Sequence, residues 1–75
     1  IYTDIKSAIT KLESDRDSLE ETLTYLNHMY EMRNELPDTY DEAIKDLKDK
    51  IKSTNEIVDT ANNAINTGNH MLQSQ

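Results

Sequence analysis

Apolar residues recur along this chain at three- and four-residue steps, in two runs separated by a single proline. The first run holds Ile5, Ala8, Ile9, Leu12, Leu19, Leu23, Leu26, Met29 and Tyr30. The second holds Tyr40, Ile44, Leu47, Ile51, Val58, Ala61, Ile65 and Leu72. Steps of three and four stack side chains on one face of a helix, whereas a half-buried strand alternates every second residue. No stretch alternates for long enough to make a strand. The pattern predicts an all-α chain: one helix over about residues 2–35, a turn at about 36–39 and a second helix over about 40–72.

The turn has the clearest local chemistry. Pro37 cannot continue a helix and drives Leu36 toward extended backbone. Thr39, followed three residues later by Glu42, matches a capping box at the start of the second helix, and Asp41 and Glu42 suit the positive end of its dipole. A short connection between two long helices makes them antiparallel neighbours. The expected object is therefore an antiparallel helical hairpin across residues 1–75, pairing residues whose numbers sum to about 75. Arg33 then falls near Glu42.

Written in heptads, the first helix offers Ile5, Leu12, Leu19 and Leu26 at one seam position and Ala8, Asp15, Thr22 and Met29 at the other. The second offers Ile44, Ile51, Val58, Ile65 and Leu72, with Leu47, Thr54, Ala61 and Gly68 beside them. Glu13 to Ser18 is polar on every side, and Ser18 with Glu21 makes a second capping box. A break there would give a three-helix variant, but a first helix of about a dozen residues is too short to stand without docking, which favours a continuous helix.

Composition narrows the chemistry. With no cysteine, thiol nucleophiles, disulfides and thiolate zinc sites are excluded, and one glycine cannot make a glycine-rich phosphate loop. The net charge of −7 repels nucleic acid and anionic membrane surfaces on average. Apolar runs are too short to span a bilayer, and no basic-then-apolar signal segment opens the chain. The chain starts at Ile1 rather than Met, as expected of a trimmed or processed product or of part of something longer.

Neither His28 nor His70 follows a Glu by three residues, and there is no His-Glu-x-x-His pair. The run Asp15-Arg16-Asp17 lacks the glycine and the ligand spacing of a calcium loop. No metal or cofactor is expected. Carboxylates on solvated helix faces serve mainly as partners for lysines four residues away, and a two-helix object offers no concavity to shift a pKa, so no catalytic residue is assigned. The only basic cluster, Lys45, Lys48, Lys50 and Lys52, is interleaved with Asp46 and Asp49, and the antiparallel fold is expected to bring some of Glu13, Asp15, Asp17, Glu20 and Glu21 near it.

The end of the first helix is apolar on more than one face. Leu19, Leu23, Leu26 and Tyr30 form one stripe, and Tyr25, Met29, Met32 and Leu36 an adjacent one. One partner helix cannot cover both, and Met and Tyr are favoured at interfaces. These eight residues are the expected partner interface, covered by a second copy in a four-helix bundle or by a helical partner protein in a coiled-coil complex. Residues 60–75 carry no formal charge apart from His70. That face suits packing against further helices, although Asn and Gly68 are weak helix formers and would also suit a frayed end.

The sequence thus reads first as a structural or protein–protein interaction module. The alternative is a small secreted helical subunit or effector-type protein of a bacterial secretion apparatus, since the Asn/Gln/Ala-rich end looks like the helical termini of secreted filament subunits. Hairpins of that kind often carry Trp-x-Gly at the turn, where this chain has Leu36-Pro37-Asp38. A last alternative, an acidic inhibitor mimicking nucleic acid, lacks a face on which the charge is concentrated.

Overall fold

Once nucleated, the first apolar run propagates as one helix, α1 (Tyr2–Glu31), in the computed structural model, which describes residues 1–74. The polar stretch at 13–18 does not break it, so the three-helix variant is not adopted. Two ion pairs at helical spacing, Lys11–Asp15 at 3.4 Å and Arg16–Glu20 at 3.6 Å, span that stretch. Arg16 also reaches across to the other arm, its Nη1 donating to Asn62 Oδ1 at 3.1 Å. Ser18 lies in the helix interior, and its carbonyl accepts the Thr22 hydroxyl at 3.1 Å rather than its side chain capping a new start.

The connection between the two α-helices, residues 32–40, is longer than the expected 36–39, mainly because the first helix ends early. The α-helix stops at Glu31, and Arg33–Glu35 form a single 3-10 turn. Leu36 is extended, at φ −94° and ψ 147°, as a residue before proline should be. A second 3-10 turn, Asp38–Tyr40, leads into α2 (Asp41–Gln73). The Thr39–Glu42 capping box does not form. The Pro37 carbonyl takes the first bond, from Tyr40 N at 3.0 Å, so Thr39 sits inside the 3-10 turn instead of in the extended backbone a cap requires.

The two helices pack antiparallel as a hairpin of 57 × 14 × 14 Å, with no strand among the described residues. On α2 the seam is the expected one: Val58 and Ile65 are buried, and Ile44, Leu47, Ile51, Thr54, Ala61, Gly68 and Leu72 are half-buried. On α1 one row is as expected and the other is not. Ile5, Leu12, Leu19 and Leu26 face α2, but the second row is Ile9, Arg16, Leu23 and Tyr30, while Ala8, Asp15, Thr22 and Met29 are exposed. The cause is Ile9, which seats against Gly68 and turns the seam one residue onward. Tyr40, counted in the second stripe, is exposed as well.

Interhelical pairing, fixed by Arg16 on Asn62 and Ile9 on Gly68, lies two to three residues beyond the expected register, less than one helical turn. The expected ion pairs between helices do not form among the described residues. Every side-chain ion pair among the described residues stays within its own helix, and Arg33 turns onto Tyr30 instead of Glu42.

A Cβ added at Gly68 would lie 2.8 Å from Ile9 Cγ1 and 2.9 Å from Cδ1. Alanine gains about 1 kcal/mol of helix propensity over glycine, but overpacking costs roughly 1–3 kcal/mol. Gly68→Ala is therefore expected to destabilise by about 1 kcal/mol in urea unfolding. In the background of Ile9→Ala the same change should stabilise, because the obstructing atoms are gone.

Candidate interaction surface

The eight residues expected at a partner interface divide into two groups. Leu19, Leu23, Leu26 and Tyr30 are half-buried and belong to the hairpin's own seam. Tyr25, Met29, Met32 and Leu36 remain exposed, at 66%, 43%, 45% and 46%. The first group holds the hairpin together, and only the second is left for anything else.

The turn fixes the position of that second group. The Arg33 guanidinium lies over the Tyr30 ring, 4.2 Å from its centroid, and its Nη1 donates to the Tyr30 carbonyl at 3.0 Å. A cation at the carbonyl end of α1 is favourable for the helix dipole, and the stacking pins Tyr30 inward. Met29 and Met32 are thereby directed outward. Extended Leu36 then carries its side chain back over α2, where Met29, Leu36, Tyr40, Ala43, Ile44 and Leu47 line an apolar groove edged by Asp46 and Lys50. Met32 and Glu35 border its continuation.

A second apolar groove runs toward the open end, lined by Leu12, Ile57, Ala61 and Ala64 with Ser53, Glu56 and Thr60. The two grooves share one line of α2: Ala43, Lys50, Ile57, Ala64 and Met71 repeat every seven residues, beside the seam rather than in it. Ile57 is 54% exposed and Met71 47%. Of the α2 half of this surface, the uncharged end from residue 60 was anticipated from the sequence as a packing face, but Ile57 and the row that runs through it were not. A scan for a second seven-residue apolar repeat one step from the seam would have found it.

No cluster of metal-ligating side chains occurs among the described residues. His28 and His70 lie near opposite ends of the hairpin, on the order of 30 Å apart along its axis. Among the described residues, no helix is long and apolar enough to cross a membrane. What the surface offers chemically is apolar grooves along one flank, edged by Glu35, Asp46, Lys50 and Glu56.

The fold defines the chain as an all-α protein of the helical-hairpin class, two long helices with one apolar flank uncovered. No protein-family model matches it, and comparison with curated proteins and with solved structures gives no match.

Proposed function

We propose that this chain is a structural or protein–protein interaction module that contributes one helical hairpin to a larger helical bundle through its apolar flank. One observation carries the reading. The chain exposes 5950 Å², whereas a compact chain of its mass exposes about 4,700 Å². Its radius of gyration is 17.0 Å against about 11 Å for a compact domain of this length. Among the described residues only Ile9, Val58 and Ile65 are buried, at 6%, 7% and 4%, and no side chain falls below 2%. So little core is hard to reconcile with the conformational entropy of ordering the chain, roughly 1–2 kcal/mol per residue, unless something else covers the flank.

The test is the mass of the pure chain in solution, by sedimentation equilibrium, beside the variant Met29→Glu/Met32→Glu. The expected result is an assembly that the double variant dissociates, because two carboxylates cannot be desolvated without partners. A monomer with cooperative unfolding and a stability of about 5 kcal/mol or more, unchanged by either substitution, defeats the proposal.

A further inference from the structure

We infer that the flank is covered by a second copy of this chain laid antiparallel to the first, the two Ile57 side chains meeting on a two-fold axis. This rests on the assembly reading above and specifies its partner.

The row on α2 supplies the first argument. Reversing it about Ile57 sets Ala43 opposite Met71 and Ala64 opposite Lys50, large against small on both sides of the centre. A parallel copy would instead set Met71 on Met71 and Lys50 on Lys50. Ile57 is also the middle residue of α2, which runs Asp41–Gln73, so the axis there overlaps the two helices along their full length with no overhang. The bulky turn-end groove of Met29, Leu36 and Tyr40 then receives the open end of the other copy, where Met71 is exposed and Ala61, Ala64 and Gly68 are small.

Charge points the same way. All the formal charges of α2 lie between Asp41 and Asp59, and only His70 in residues 60–75 can add one. Antiparallel stacking lays the charged half of each helix on the uncharged half of the other, while parallel stacking lays the lysine cluster on itself. Of the charges at the flank's edge, Asp46 pairs with Lys50, while Glu35 and Glu56 make no ion pair among the described residues and must keep their solvent at the rim of the contact.

The area is sufficient. The surface in excess of a compact chain is about 1,200 Å², and a standard interface removes about 800 Å² from each partner. Two hairpins stacked flank to flank would bring each close to the exposure of an ordinary domain of its size.

Because the chain has no cysteine, single cysteines report the geometry without background. Helix axes 8–10 Å apart leave facing Cα atoms about 5 Å apart, within disulfide reach. The wild-type chain is first sedimented from 1 to 200 μM, a range chosen to bracket a Kd of order 10 μM. Ile57→Cys is then oxidised alone, Met71→Cys alone, and Ala43→Cys mixed with Met71→Cys. The expected result is a dimer, with near-complete disulfide at Cys-substituted position 57, a mixed disulfide between the 43 and 71 variants, and little at position 71 alone. A dimer cross-linked at position 71 alone, or at neither 57 nor the mixed pair, overturns the antiparallel arrangement while the assembly reading stands. A chain that stays monomeric over the whole range but unfolds at low urea overturns self-association and leaves an unlike partner as occupant. Only a monomer of high stability overturns both.

Discussion

A chain ending after Asp59 is expected to lose far more helix than the residues removed. The last sixteen positions look expendable by composition, since they are uncharged and rich in weak helix formers. In the hairpin they are the cover for the first half of α1. Ile65, at 4% exposure, is the most buried of the three core residues; Asn62 accepts the Arg16 guanidinium; and Gly68 is the floor on which Ile9 sits. Without them, residues up to Arg16 form an isolated helix of about sixteen residues with no apolar cover, which is marginal at best. Removing the burial of Ile9 and Ile65 forfeits on the order of 1.5–3 kcal/mol for each. Circular dichroism should therefore lose at least about two fifths of the helical signal, where excision alone would remove roughly a fifth, and the shortened chain should sediment as a monomer. A proportionate loss of one fifth would show that the grip of the fold lies entirely near the turn.

Much of this architecture was legible because one residue organises it. Pro37 marks the reversal between the two apolar runs, and with so short a connection, residues 32–40, the antiparallel hairpin follows. The seam of α2 was equally clear, since its second-row neighbours Leu47, Thr54, Ala61 and Gly68 are small or apolar and nothing competes with them. On α1 two adjacent rows are both part-apolar. Ala8 and Met29 recommend one, Ile9, Leu23 and Tyr30 the other, and Arg16 argues against the second because a charge in a seam costs desolvation unless it is paired. Its long stem lies along apolar surface while the guanidinium finds Asn62 and Glu20, a compensation that residue type alone does not reveal. The capping box failed for a related reason. Thr39 and Glu42 have the right spacing, but the bond from the Tyr40 N–H to the Pro37 carbonyl draws Thr39 into a 3-10 turn and out of the extended backbone that a cap requires. As for the candidate surface, the half on α1 could be read from its surplus of Met and Tyr, whereas Ile57 and Met71 were hidden because each stands directly before a seam residue, Val58 or Leu72, that accounts for the apolar character of its segment.

The sharpest separation of fold from assembly comes from two adjacent residues of α2. Ile57 and Val58 are about 100° apart around the helix. Val58 is 7% exposed and faces α1, while Ile57 is 54% exposed and faces the flank. Val58→Asp places a carboxylate in the seam among apolar side chains, with no donor built to receive it. Removing the buried methyls and desolvating a charge there costs on the order of 3–5 kcal/mol, comparable with the whole stability of a marginal chain. The expected outcome is loss of the cooperative thermal transition at every protein concentration. Ile57→Asp leaves the seam intact, but on a two-fold axis it acts twice, setting two like charges against each other where two isoleucines met. The lost apolar contact and the repulsion together are worth roughly 3 kcal/mol, or a dimer at least about 100-fold weaker. That variant should retain a cooperative transition, at a lower midpoint that no longer rises with protein concentration, since the linkage between folding and dimerisation has been removed. If Ile57→Asp melted like Val58→Asp, hairpin and dimer would be a single folding unit. If it melted like the unaltered chain, with the midpoint still rising with concentration, the axis would lie somewhere other than the centre of α2.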